Sequence, residues 1–139
     1  MIDFYLAARF GRREELCGYA ESLKHKGYGV TSRWLTQHQK ADLNVISYSP
    51  QERQMFALHD YEDVLRANRL IAFTEDPAEN VPGGRRGGRH VELGIALTAG
   101  KHVYVVGHKE NVFCHLPSIM FYATFKDLYE TLEKYPERS

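Results

Sequence analysis

Five short apolar stretches alternate with longer segments of helical periodicity, and this alternation limits the chain to a few folds. The apolar stretches are residues 2–8, 28–31, 70–73, 102–106 and 119–122, each too short for a core helix and rich in aromatic or β-branched side chains. Between them, residues 12–26 carry Leu16, Tyr19, Ala20 and Leu23 at helical spacing, with Gly27 as a stop. Residues 51–67 predict a second helix with Met55, Leu58, Val64 and Leu65 inward, and residues 90–99 a third that stops at Gly100. Residues 125–134 predict a closing helix with Leu128, Tyr129 and Leu132 inward, and residues 110–115 a short helical turn. Residues 32–50 lack periodicity and read as an active-site loop, and residues 75–88, with Pro77, Pro82 and four glycines, read as another. Strands separated by helices imply βαβ units, right-handed crossovers and a mostly parallel sheet covered on both faces, an α/β fold in one domain spanning 1–139. In such sheets ligands bind beyond the carboxyl ends of the strands, where strand order reverses.

Charge and cysteine content narrow the function. Lys plus Arg and Asp plus Glu each number 18. No electrostatic steering to a nucleic acid polymer or an acidic membrane is expected from that balance. Cys17 and Cys114 have no CxxC spacing, which suggests reduced thiols in a soluble cytoplasmic protein. No apolar run approaches the roughly 20 residues of a membrane span. The histidines show no HExxH or paired ligand spacing, so neither a metal nor a cofactor is expected. Cys17 reads as helix packing, and Cys114 has no evident base partner.

The most unusual segment is Pro82-Gly-Gly-Arg-Arg-Gly-Gly-Arg-His-Val-Glu-Leu-Gly94. Its glycines, Gly88 among them, let backbone amides approach a ligand, and the helix start that follows offers free N–H donors. Arg85, Arg86 and Arg89 add bidentate recognition of phosphate or carboxylate. Glu92 falls in the expected first helical turn, where the dipole favours an ionised carboxylate suited to nucleophilic attack. The plainer alternative is a basic loop before a helix with an acidic first turn. No Gly-Lys-Ser/Thr follows the glycines and no dinucleotide fingerprint opens the first helix, so kinase and dehydrogenase readings fall away. Asp60, in His-Asp-Tyr-Glu-Asp, is either a second carboxylate facing the same ligand or part of a solvated helix face with Glu62 and Asp63. Tyr5 either orients the nucleophile or packs in the core. Ala8 ends the first strand and Arg9 and Arg12 follow it; all three are candidates to bind the substrate, the arginines through an anion, unless the arginines simply face solvent. Trp34, Phe10 and Phe73 are expected to line a base pocket that residues 32–50 close against water.

The ordered pieces Phe4-Tyr-Leu-Ala-Ala-Arg9, residues 60–73, Val91-Glu-Leu-Gly94 and Gly100-Lys-His-Val-Tyr-Val-Val106 together resemble the nucleoside 2-deoxyribosyltransferase family, including its nucleoside 5'-monophosphate N-glycosidase branch. The resemblance covers nearly the whole chain. It implies a flavodoxin-like (Rossmann-like) five-stranded parallel sheet flanked by helices. It implies that Glu92 is the nucleophile forming a glycosyl-enzyme, Asp60 its acidic partner and Tyr5 the tyrosine holding it. It further implies a homodimer or higher oligomer with shared active sites, in which the segment after the fourth strand serves a neighbouring site. There Asn111 matches a residue touching the sugar 5'-hydroxyl, and Cys114 stands where the hydrolases place a phosphate-binding serine.

Two departures from the family pattern matter. Transferases carry an acidic residue six positions before the nucleophile, and here that residue is Arg86, with Asp76 or Glu79 as substitutes from a longer loop. The loop arginines suit a 5'-phosphate, whereas Asn111 and Cys114 do not follow the hydrolase pattern. Cleavage or transfer at the N-glycosidic bond of a small nucleoside is therefore the expected activity. A monophosphate hydrolase is the alternative, followed by a non-catalytic nucleotide-derivative binding protein. An NAD glycohydrolase rests on fold analogy alone.

Overall fold

The computed structural model describes residues 1–37, 48–79 and 87–134. The strands are β1 (Asp3–Ala7), β2 (Gly29–Val30), β3 (Arg69–Phe73), β4 (His102–Val106) and β5 (Ile119–Tyr122). The helices are α1 (Arg13–His25), α2 (Trp34–Gln37), α3 (Pro50–Arg66), α4 (Gly88–Thr98) and α5 (Phe125–Thr131), with 3-10 turns at Phe10–Arg12 and Val112–His115. All neighbouring strands are parallel, in the order β2-β1-β3-β4-β5. This is the parallel α/β sheet expected from the alternation, in the flavodoxin-like form that the family resemblance implies, and its order reverses between β1 and β3.

The register sorts the side chains. Phe4 pairs with Arg69 and Leu6 with Ile71, so these share one face, while Tyr5 pairs with Leu70 and Ala7 with Ala72 on the other. On the first face Phe73 stacks with Tyr19 of α1 and lies beside Phe125 of α5. The second face is covered by α3 and α4. Every residue from Phe4 to Ala7 and from Leu70 to Phe73 is buried, because a parallel sheet covered on both sides has no solvent face. Each large apolar side chain sealed this way contributes about 1.5–3 kcal/mol.

Local chemistry sets the helix limits. Ser49 and Glu52 form a reciprocal capping box at the start of α3, with Pro50 at the first helical position. Gly27, at φ 91°, ends α1 in a conformation that glycine adopts without steric cost.

Four expectations need correction. A short helix, α2, occupies part of the expected 32–50 loop, whose residues 38–47 lie outside the described ones. Closure of that loop over a base is thus untouched by the structure. α5 ends at Thr131 and not at 134, because Leu132 is already extended. Met55, Leu58 and Leu65, expected inward, are exposed at 47, 51 and 38%. They lie on the flank of α3 turned from the sheet, which buries Asp63 and Val64 instead. Finally, α4 begins at Gly88, two residues early, because Gly87 takes a left-handed conformation at φ 73° and turns the chain into the helix.

Candidate active site

Tyr5, Asp60 and Glu92 meet on the α3/α4 face of the sheet, beside the β1/β3 reversal. β1 supplies Tyr5, fully buried because odd-numbered residues of this strand face α3 and α4. α4 supplies Glu92, and the Tyr5 hydroxyl donates a short hydrogen bond to its Oε2. α3 supplies Asp60, whose charge acts on both Tyr5 and Glu92.

The electrostatics differ from the expected dipole-held carboxylate. Glu92 is the fifth residue of α4, in its second turn, where the dipole has little effect. Burial, followed by repulsion from Asp60, pushes its carboxyl up to about 8, and the Tyr5 hydrogen bond works against both. Asp60 is pushed up to about 7 by burial and then by Asp63, with Arg33 opposing. Burial, then the Glu92 and Asp60 charges, hold the Tyr5 hydroxyl well above its ordinary value, so it remains a donor. Two carboxyls raised into this range are arranged to hold one proton near neutrality, leaving one anion and one acid.

The acidic run 60–63 is not uniformly a solvated face. Glu62 is exposed, but Asp63 is fully buried and accepts from the Arg33 backbone and Nε at 2.9 Å each and from Arg66 at 2.9 Å. Asp63 thereby ties the segment after β2 to α3 and holds the surface on which Asp60 sits. Spacing gave a partial sign of this, since Arg66 lies three residues on in the same helix.

Other expected site residues form two further groups. Arg9 and Arg12 both bind Glu75, at 2.6 and 2.9 Å, across the β1/β3 reversal, and Arg12 also binds Glu15. Both guanidinium groups therefore have carboxylate partners of their own. Arg89 is buried and donates to Glu110 at 2.6 Å, while Glu110 also accepts from the Glu75 backbone amide. Burial works to raise the Glu110 carboxyl, but Arg89 and that amide outweigh it and lower it. His90 lies between Glu110 and Asn111, whose Nδ2 is 3.2 Å from the ring Nδ1. Burial and then Arg89 lower the His90 pKa, so the ring is neutral at pH 7. The Asn111 side chain also caps the turn that buries Cys114. Glu75 and Glu110 were not among the expected site residues. Their place just past β3 and β4, at the carboxyl edge, was the available signal.

The remaining residues are more separate. Ala8 is partly buried just beyond β1. Trp34 is buried, its indole donates to the Leu6 carbonyl, and its ring lies 6.2 Å from that of Phe10. Phe73 belongs to the opposite, α1/α5 face and is fully buried there, so it does not line a pocket shared with Glu92. Asp76 accepts from the Ala78 amide and organises its own turn. Gly88 opens α4 with free space where a Cβ would stand. Arg85 and Arg86 lie outside the described residues. Among the described residues no group of three or more His, Cys, Asp or Glu could hold a metal ion, and no helix is long and apolar enough to cross a membrane.

The whole chain has the architecture of several solved structures. A 2-deoxyribosyltransferase from Bacillus psychrosaccharolyticus superposes with a TM-score of 0.70 at 19% identity, over 96% of this chain and 99% of that one. A CMP N-glycosidase from Clostridium botulinum superposes with a TM-score of 0.58 at 20% identity, over 96% and 99%. A conserved protein from Enterococcus faecalis V583 does so with 0.56 at 17%, over 94% and 96%. No family model and no curated protein sequence matches the chain. At these identities the likeness is one of fold.

Proposed function

We propose that the chain cleaves or transfers at the N-glycosidic bond of a nucleoside, with Glu92 as nucleophile. The observation that carries this reading is the half-buried Glu92 carboxyl, held by the Tyr5 hydroxyl with Asp60 beside it. One Glu92 oxygen attacks the anomeric carbon, forming a C1'–O bond as the C1'–N bond breaks. The electron pair goes to the leaving base. In the reactive form the proton lies on Asp60 and Glu92 is the anion, a minor form at rest because the Glu92 carboxyl has the higher pKa, and Asp60 gives that proton to the base. Water or a second base then attacks C1' and releases the glutamate. Substrate burial in such a site limits competing hydrolysis. The activities of two structural neighbours, a 2-deoxyribosyltransferase and a CMP N-glycosidase, support this chemistry by analogy of fold.

The unphosphorylated substrate is favoured by the ion pairs. Arg9 and Arg12 are matched by Glu75, and Arg89 by Glu110, so a 5'-phosphate would have to displace an internal carboxylate at each. Cys114 is buried in its turn and offers no substitute. We further read the protein as a homo-oligomer. The exposed flank of Met55, Leu58, Tyr61 and Leu65 on α3, with Val91 on α4 and Val112 and Phe113 beside Asn111, supports a second copy covering this side.

Incubation with a panel of deoxynucleosides and their 5'-monophosphates, with and without a second free base, tests the activity by chromatography of released or exchanged base. Release or exchange from the nucleosides, abolished by Glu92→Gln, is the expected result. Preference for the monophosphates would replace the transferase reading with the hydrolase one. Binding without turnover would leave a non-catalytic nucleotide-derivative protein.

A further inference from the structure

The α1/α5 face carries an open cavity, on the other side of the sheet from Glu92. Its volume is about 620 Å³, within the usual range of small-ligand sites. It exists because α5 is short. Seven helical residues span roughly 10 Å, whereas a five-residue strand runs roughly 16 Å. Part of the sheet face over β3, β4 and β5 is left open, and Arg69, Tyr104, Met120 and Tyr122 line the space. The opposite wall is fixed. Lys26 donates to the Tyr129 and Leu132 carbonyls at 2.6 and 2.9 Å, and the Tyr28 hydroxyl donates to the Glu133 carbonyl at 2.6 Å.

The chemistry of the lining is specific. The Arg69 guanidinium lies 5.7 Å from the Phe4 ring and donates one N–H to the Tyr104 hydroxyl at 3.1 Å. Among the described residues no carboxylate pairs with it, unlike Arg9, Arg12, Arg33, Arg66 and Arg89. The half-buried Tyr122 ring offers an apolar face beside it, 6.4 Å from the ring of Tyr104, which is itself buried in the core. At the rim, Glu133 and Lys134 carry opposite charges. A fixed guanidinium fork with donors to spare, next to an aromatic face, matches a planar ring bearing a carboxylate or phosphate.

We propose that this cavity is a binding site for a small aromatic anion, with Arg69 taking the anionic group and Tyr122 the ring. Calorimetric titration of the full chain with 1-naphthoate, 1-naphthyl phosphate and the neutral methyl 1-naphthoate tests it. Saturable one-to-one binding of at least one acid is expected, with the ester at least tenfold weaker because it lacks the charge Arg69 recognises. Whichever acid binds more tightly identifies the anionic group. Arg69→Met should weaken that acid to the level of the ester, while Glu92→Gln should leave it unchanged. Absence of saturable binding, equal binding of the ester, full binding by Arg69→Met, or loss of binding in Glu92→Gln would each overturn the proposal. The ester comparison uses the unaltered protein, so the test stands even if Arg69→Met does not fold.

Discussion

The Tyr5 hydroxyl on β1 donates to the Glu92 carboxylate on α4 across 87 positions of the chain, next to Asp60 on α3. Three elements thus converge on one electrostatically coupled cluster, and its charge state should be visible in both stability and rate.

The first consequence concerns stability against pH. The folded-state pKa values of Glu92 and Asp60, about 8 and about 7, lie above the ordinary 4.5 and 3.8. The folded state therefore binds more protons than the unfolded chain in this interval. The stabilisation is complete below about pH 4 and is lost as pH rises through about 7 and 8. Glu92→Gln removes one ionisation, so urea unfolding should show it more stable than the parent by a few kcal/mol at pH 9, converging at pH 4–5. A parent whose stability rises between pH 5 and 8 in step with the variant would contradict the raised acid pair.

Asp60 and Tyr5 act on Glu92 with opposite sign. Asp60→Asn removes a repelling charge, so the acidic limb of the kcat/KM profile should move to lower pH. Tyr5→Phe removes the hydrogen bond that favours the anion, so the same limb should move to higher pH. Both should lower kcat, Asp60→Asn by roughly 10²–10⁴-fold if it protonates the leaving base. Profiles that shift the same way in both variants would refute these roles.

Asp63 should matter to folding and not to chemistry. It is fully buried and accepts from the Arg33 backbone amide, so Asp63→Ala leaves that amide without its acceptor and should cost about 1–3 kcal/mol in urea unfolding. Exposed Glu62, which binds only Arg33, should cost under about 1 kcal/mol when changed to Ala. Equal effects would mean that Asp63 is not the anchor.

The exposed α3 flank predicts assembly. Leu58→Glu places a charge in the middle of that apolar surface. Light scattering coupled to size exclusion should read a dimer or larger for the parent and a smaller species for the variant. A monomeric parent would remove the oligomer reading.

Period and punctuation are local properties, and they carried the fold. The spacing of Leu16, Ala20 and Leu23, the glycine at 27 and the continuous apolar runs 4–7 and 70–73 each depend on neighbours within a few residues. Together they implied five parallel strands and the edge where a ligand would bind. The candidate trio Tyr5, Asp60 and Glu92 was named from the sequence, partly through family resemblance. Its proton balance was not, because burial and mutual repulsion exist only once β1, α3 and α4 are packed. The partners of the arginines were equally hidden: Glu75 lies 66 residues from Arg9, and Glu110 lies 21 from Arg89. Nor could periodicity tell which apolar flank of α3 turns inward, since Met55, Leu58 and Leu65 repeat at the same helical spacing as buried positions do. The sequence by itself determined which segments become strands and helices, because those preferences are short-range. Tertiary structure alone decided which charges neutralise one another and which carboxyl keeps its proton, because Coulomb energies and desolvation depend on distances that only the packed chain sets.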